Sequence, residues 1–379
     1  MNRCLYITFQ PIREGDGASM KAQAQRDALI KLGLEVKMLY GLNNNGSYSF
    51  YVDGNLLISG VRWRHLFFST KLYSSIINYI KNNSCKLLYV RYGMNASKPF
   101  VDFLGTCKGI GCKVFLEIPT YPYDSEEKFR LSSVFFRKKL YSIIENMYRK
   151  KFDGVVSNIV TFSADKTIFN VPTIQLSNAV ARIPPLYIRP SLTDEFRIIT
   201  VASIAFWHGI DRLIEGIHIY YTNRTSVSMK YMVKLYVVGG GDEKEINLLK
   251  ELVSKYKISD LVTFTGPLTG EKLDEIFLKC HVAIGCLGCH RKNIKEVKSL
   301  KNVDYAMRGI PFVYSETNYD FDGRPYVYKV PNDDSAVNVE NIINFVNNLE
   351  CTPEEMRNSV SDFTWEKQLE KVVRRMTNI

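Results

Sequence analysis

The sequence predicts two Rossmann-like α/β domains joined in series. Three observations carry that expectation: the length of the chain, strand-like runs alternating with helical periodicity in both halves, and one Pro-rich break between them. At 379 residues the chain exceeds a single ordinary doubly wound core. A hydrophobic share of 46% against 23% charged residues fits a folded globular protein and argues against a disordered or fibrous one.

In the first half, Cys4–Phe9, Lys86–Arg91, Lys113–Glu117, Gly154–Ser157 and Thr173–Ser177 read as strands. Met20–Leu32 reads as a helix with Ala22, Ala24, Ala28, Leu29 and Leu32 near one face, and Ser125–Lys151 reads as a long helix. In the second half the strands expected are Phe196–Val201, Val233–Val238, Val262–Phe264, Val282–Gly285 and Phe312–Tyr314. Asn178 to Pro185 breaks the periodicity and ends on Pro184-Pro185, which suits a crossover between domains. The expected domains are therefore 1–178 and 179–364, with a C-terminal helix over about 365–379 returning to pack on the first. No short-period repeat points to a solenoid.

Charge is unevenly spread. Up to Asn178 there are 24 Lys/Arg against 13 Asp/Glu, and beyond it 26 of each, so the first half carries the whole net charge of +11. That asymmetry points to an anionic surface or substrate met by the first half. The helix candidate Ser125–Lys151 interleaves Arg130, Arg137, Lys138, Lys139, Arg149, Lys150 and Lys151 with Phe129, Phe135, Phe136, Tyr141 and Tyr148. Such a pattern serves either a membrane-docking face or an ordinary amphipathic helix. No nucleic-acid-binding module accompanies the charge, so nucleic acid is not expected as a partner. With no apolar run long enough to span a bilayer and an opening segment too short for a signal peptide, the protein is expected in the cytoplasm.

The eight cysteines lack the spacing of a zinc site or a disulfide framework, and reduced, buried thiols are expected. Cys286-Leu-Gly-Cys289-His290 matches the c-type haem attachment pattern, but without an export signal it reads as a chance match. The five histidines form no metal-ligand pairing, so neither metal nor cofactor is expected.

The most informative segment is Glu296-Val-Lys-Ser299-Leu300-Lys301-Asn-Val-Asp304-Tyr-Ala-Met-Arg308-Gly309-Ile-Pro311. Its two acids stand eight apart, one ahead of a helix start near Ser299 and one inside that helix, which Gly309 and Pro311 end. Backbone N–H groups at Ser299, Leu300 and Lys301 would face a diphosphate, and the helix dipole favours an anion there. Asp304 would accept from ribose hydroxyls, and Glu296 would favour charge developing near an anomeric carbon. A capped surface helix with solvated acids is the plainer alternative.

This segment resembles the E-x7-E region of the retaining family 4 glycosyltransferases of the GT-B fold, with Asp304 in place of the usual second Glu. Further stretches resemble that family in order. Val201–Glu215, with Ser203 and His208, looks like its phosphate loop and following helix. Val238-Gly-Gly240-Gly-Asp242 resembles its glycine turn, and Val262–Leu268, with Gly266 and Leu268, its base-holding loop. The family usually carries an Arg and a Lys where this chain has Ser203 and His208. Arg291, Lys292 and Lys301 are the nearest cations to replace them. Gly17 falls where the family has a loop glycine facing the sugar, and Glu117, Thr120 and Tyr121, after a strand, are the acceptor-side candidates. Asp320-Phe321-Asp322 imitates the acid pair of the other glycosyltransferase fold but reads as a solvated loop.

The resemblance implies two facing Rossmann-like domains with an interdomain cleft. It implies a nucleotide-diphosphate sugar as donor, a glycan or lipid-linked saccharide as acceptor, retention at the anomeric carbon, no metal, and a part in surface polysaccharide synthesis, while the basic first half points to docking on the inner face of the membrane. A non-catalytic partner subunit and an epimerase-like enzyme are the rival expectations.

Overall fold

The computed structural model describes residues 2–12, 17–44, 46–62, 69–93, 96–121, 133–223, 230–294 and 296–377, apart from the side chains of Asn44 and residues 133–140. Contacts divide the chain into two units, the first Met1–Tyr123, Lys128–Ser177 and Trp365–Ile379, the second Asp124–Glu127 and Asn178–Thr364.

Unit one comprises β1 (Arg3–Ile7), α1 (Gly17–Lys31), β2 (Glu35–Asn44), β3 (Ser47–Val52), β4 (Asn55–Arg62), α2 (Thr70–Asn82), β5 (Leu87–Arg91), α3 (Lys98–Gly109), β6 (Lys113–Ile118), α4 (Ser133–Arg149), β7 (Asn158–Thr161), β8 (Thr167–Ile168) and β9 (Val171–Gln175). The sheet runs β4-β3-β2-β1-β5-β6-β7-β9-β8. Strands β2, β1, β5, β6, β7 and β9 are parallel, and their apolar runs are buried under helices as such sheets require. The sequence reading missed the antiparallel extension β2–β3–β4. Its turn Asp53-Gly54 has φ of 45° and 87°, the positive pair of a tight hairpin, and burial along β3 alternates. The strand expected at Gly154–Ser157 is corrected. The N–H groups of Val155 and Val156 both return to the Phe152 carbonyl, forming a 3₁₀ turn over Phe152–Gly154, and β7 begins only at Asn158. Of the long helix expected over Ser125–Lys151, residues 125–132 lie outside the described residues, Ser133–Arg149 forms α4, and Lys150 and Lys151 lie in the turn after it.

Unit two comprises β10 (Glu195–Val201), α5 (Ile210–Thr222), β11 (Met232–Val238), α6 (Glu243–Lys255), β12 (Val262–Gly266), α7 (Gly270–Phe277), β13 (Val282–Ile284), α8 (Leu300–Arg308), β14 (Phe312–Tyr314), β15 (Val327–Lys329), α9 (Val339–Asn347) and α10 (Pro353–Asn358). Its parallel sheet runs β12-β11-β10-β13-β14-β15. One core packs α5, α6 and α9 on the sheet through Leu213, Ile217, Leu249, Val253 and Ile342. A second gathers α7, α8 and α10 through Phe277, Val303, Met307 and Met356.

The chain then returns to unit one as α11 (Trp365–Thr377), which packs along α1. Trp365 is buried edge-on to Phe162, the Lys31 ammonium meets Glu366 at 2.7 Å, and the Lys21 ammonium lies 3.5 Å from the Phe162 ring centre.

Candidate active site

Parallel α/β sheets leave their ligand sites at the carboxyl ends of the strands, and in unit two the loops after β10, β11, β13 and the start of α8 meet there. The loop after β10 lies flat on the glycine turn after β11. Ile204 N–H donates to the Gly240 carbonyl at 2.6 Å, and a Cβ on Gly239 or Gly241 would come within 1.8 Å of the Ala202 oxygen or 2.3 Å of the Ile204 oxygen. Glycine is required here for close packing of two loops, so Gly240 shapes the site through its backbone. Ser203, between the two contacts, is exposed. Gly266 sits at φ 73° in the turn ending β12, and Leu268 packs partly buried on the second core.

His208 stands where the resembling family has a cation, and it carries no charge. Its Nδ1 accepts from Ala205 N–H at 3.2 Å, and burial, with the nearby Lys301 charge adding to it, drives its pKa down to about 3. It is a neutral acceptor that shapes the loop at any physiological pH. Its carbonyl accepts from Leu287 N–H, tying the loop after β10 to that after β13.

Arg291 is also corrected. Its guanidinium grips both Asp211 carboxylate oxygens at 2.8 and 2.7 Å, Asp334 at 2.7 Å and the Phe206 carbonyl at 2.7 Å, and the Asp211 hydrogen bonds raise its pKa. It braces three segments and is not free to meet a diphosphate. Lys292 differs: its ammonium lies 4.1 Å from the Trp207 ring centre, a cation–π contact that leaves its hydrogen-bond donors available to a ligand.

Helix α8 starts as its sequence predicts. Ser299 caps it, its Oγ accepting from Lys301 N–H at 3.3 Å, and Gly309 ends it at φ 83°. The cap takes one of the first-turn N–H groups assigned above to a diphosphate; Ser299 and Leu300 N–H lie ahead of the helix's own ladder. The Lys301 side chain turns inward, its Nζ buried without a hydrogen-bond partner and in the field of Cys286 and Glu316, so it is not an outward phosphate contact. Asp304, one turn into the helix and 34% exposed, pairs with Arg308 at 2.8 Å. Arg308 continues to Asp274 at 2.7 Å, and Asp274 to Arg182 at 2.8 Å. Burial raises the Asp304 pKa against the pull of Arg308. Glu296 is exposed, and its position is set by the backbone: it forms a parallel bridge with Thr317, and Val297 N–H donates to the Thr317 carbonyl at 3.0 Å.

The Asp320–Asp322 loop, expected to be solvated, is a packed pin. Asp320 meets Lys298 at 3.2 Å, Asp322 accepts from the Tyr314 hydroxyl at 2.6 Å, and Phe321 is buried. Lys298 therefore holds the stretch between Glu296 and α8 from both ends, since its carbonyl accepts from Asn178 Nδ2.

In unit one, Glu117 is corrected from an acceptor contact to a buried hub. It accepts from Tyr89 OH at 2.5 Å and Gln25 Nε2 at 2.8 Å, with Arg91 at 3.4 Å and Lys21 at 3.7 Å. Burial alone would raise its pKa; Lys21, Arg91 and the hydrogen bonds outweigh that and hold it below the ordinary value. Thr120 is exposed, and Tyr121 packs edge-on against Phe169 at 5.8 Å. Gly17 opens α1, with nothing within 4 Å of where its Cβ would stand; residues 13–16 before it lie outside the described residues.

Residues 188–319, within the second unit, match the family of glycosyl transferases group 1. No curated protein sequence matches the chain significantly. Solved structures match over the full length. Sucrose-phosphate synthase from Thermosynechococcus elongatus has 14% identity, complete coverage of both chains and a TM-score of 0.70. A glycosyltransferase from Rickettsia africae has 12% identity, coverage of 100% of this chain and 98% of the other, and a TM-score of 0.67. The E. coli trehalose-6-phosphate structure bound with UDP-2-fluoro glucose has 8% identity, coverage of 100% and 99%, and a TM-score of 0.63. At these identities the likeness speaks for the fold. The Glu296–Pro311 segment, the loops that frame it and the family match all fall in the same unit, so the chain has the GT-B fold and its second unit is similar to the glycosyl transferases of group 1.

Proposed function

We propose that the protein transfers a sugar from a nucleotide-diphosphate sugar to a glycan or lipid-linked saccharide acceptor, with retention and without a metal, in surface polysaccharide synthesis. The observation that carries this reading is the capped start of α8 with Glu296 held eight residues ahead of Asp304. The dipole and first-turn N–H groups favour the diphosphate, and Lys292 is the cation left to assist its departure. Glu296, exposed and backbone-anchored, is the catalytic group, and Asp304 the ribose acceptor. With retention, the leaving phosphate takes the acceptor's proton on the same face of the sugar.

Thermal shift against a panel of nucleotide sugars tests donor binding, because a ligand stabilises only the protein that binds it. Acceptor-dependent release of nucleotide then separates transfer from an epimerase-like reaction. Glu296→Gln is expected to lower turnover about 10²–10³-fold with nucleotide affinity little changed. Wild-type turnover in that folded variant would remove Glu296 from the site. Activity unchanged by a chelator checks the metal-free reading.

The engagement of Arg291 and the neutrality of His208 favour one second reading, a partner subunit that binds donor without turning it over. Donor-induced stabilisation with no transfer to any acceptor would mark it. Docking on an anionic membrane fits the basic first half and the exposed Ile143 and Met147, one turn apart on α4. Among the described residues no helix is long and apolar enough to cross a membrane. Sedimentation with anionic vesicles at low and high salt tests the docking, and absence of binding at low salt would exclude it.

A further inference from the structure

We propose that Cys286 and Cys289 form a redox-active dithiol that closes into a disulfide and so releases the loop over residues 203–208. The two sulfurs are 2.7 Å apart, both cysteines are buried to 6% exposure, and the Cys286 sulfur also reaches the Trp207 carbonyl at 2.9 Å. A disulfide needs the sulfurs at roughly 2.04 Å, a closure of well under one ångström. Two thiolates on one tetrahedral zinc stand about 3.7 Å apart, given Zn–S bonds of about 2.3 Å. The pair must therefore open to hold a metal and close to form a bond. The Lys301 ammonium also turns into this pocket, where it opposes a second cation and favours a thiolate.

The surroundings are built for proton and charge movement yet leave polar atoms unused. Lys301 Nζ, Glu316 Oε2 and Asn302 Oδ1 are all buried without a hydrogen-bond partner. Glu316 is fully buried, with its carboxylate oxygen within 4.8 Å of both sulfurs. Gly285 belongs to the same arrangement, because a Cβ there would stand 2.7 Å from Asn302 Oδ1. Cys289 S–H donates to the Cys286 sulfur, and that hydrogen bond lowers the Cys286 pKa against its burial, with Lys301 assisting, while the donor Cys289 is raised. Cys286 is therefore the attacking sulfur.

With a peroxide as oxidant, the Cys286 thiolate attacks one oxygen, the O–O bond breaks, and hydroxide leaves and is protonated to water. The resulting sulfenic acid is attacked by the Cys289 sulfur. The S–S bond forms as the S–O bond breaks, and hydroxide departs with the Cys289 proton as a second water. The sulfurs lose two electrons and the peroxide gains them. Oxidation removes the Cys286 S–H that donates to the Trp207 carbonyl, one of the ties between the loops, alongside Leu287 N–H to the His208 carbonyl, Arg291 to the Phe206 carbonyl and Lys292 over Trp207. On the reading proposed above, that loop meets the donor diphosphate, so the oxidised form binds nucleoside diphosphate more weakly. This consequence rests on that reading; the dithiol itself does not.

Treating the whole protein with hydrogen peroxide is expected to remove two hydrogens in intact mass. Peptide mapping should place a bond between Cys286 and Cys289, reversible by a dithiol reductant. Cys286→Ser and Cys289→Ser should each abolish that loss, while the part-exposed Cys351 serves as an internal control. Hydrogen exchange over residues 203–208 should rise several-fold on oxidation of the wild type. Free thiols at both positions once Cys351 is oxidised, or an equivalent of zinc released from the purified protein by thiol blocking, would overturn the dithiol. A disulfide with unchanged exchange over 203–208 would overturn its link to the loop.

Discussion

Arg291, Lys292 and Lys301 carry similar promise in the sequence as cations near a diphosphate, and their partners divide them. Arg291 is engaged by two carboxylates and a carbonyl, Lys301 is turned inward with its ammonium buried, and Lys292 keeps its ammonium over Trp207. Arg291→Ala is therefore expected to cost about 1.5–3 kcal/mol of stability, as loss of charged hydrogen bonds does, read by urea denaturation. Lys292→Ala should instead leave stability within about 0.5 kcal/mol and weaken nucleoside diphosphate binding more than nucleoside binding, read by calorimetry. The reverse pattern would restore Arg291 as the phosphate cation. Nothing in sequence spacing separates these residues, because Asp211 and Asp334 lie 80 and 43 positions from Arg291.

At the scale of elements, α8 and the glycine turn are the parts whose local chemistry is most explicit. Ser299→Ala removes the cap and should cost about 1 kcal/mol, measured by denaturation, with nucleotide affinity falling if the helix start frays. Gly239→Ala is the harsher change: φ of 130° and a 1.8 Å approach to the Ala202 oxygen leave no room for a methyl group. We expect a loss above about 2 kcal/mol, since strained backbone and a steric clash add. A neutral effect would mean the loop after β10 can lift away. The boundaries of α8 were legible because cap, acid and terminator are local signals. The hairpin β3–β4 was overlooked although Asp53-Gly54 announces it, since its alternating burial is weaker than the continuous apolar runs of the parallel strands.

For the molecule as a whole, the two units respond to pH through oppositely shifted carboxyls. In unit two, burial, joined by the charge of Cys286, raises Glu316 to about 8 from an ordinary 4.5. Between those values the folded state keeps a proton that the unfolded chain has released. Its contribution is therefore complete below about pH 4.5 and is lost as pH rises to about 8. In unit one, Glu117 lies below its ordinary value, so its contribution is present above about pH 4.5 and is lost as pH falls through the folded pKa. Hydrogen exchange, corrected for intrinsic rates, should show protection of β13 and β14 falling between pH 5 and pH 7.5 while that of β5 and β6 holds. Glu316→Gln should flatten the first slope. An unchanged slope in that variant would show that Glu316 is not the group responsible.

The sequence by itself determined the two parallel sheets in series, most strand positions and the capped helix between Glu296 and Gly309. These follow from apolar runs, periodicity and helix-end chemistry, which act within a few residues. Tertiary structure alone decided which side chains are spent on holding the loops together. Glu117 read as a strand-end contact and is a buried hub because Lys21 and Gln25 of α1 and Tyr89 and Arg91 of β5 converge on it. Cys286 and Cys289 read as a chance match to a haem-attachment pattern and stand in contact because the chain turns sharply after β13. The partners of a buried charge are set by the packing of distant segments, and a local pattern carries no trace of them.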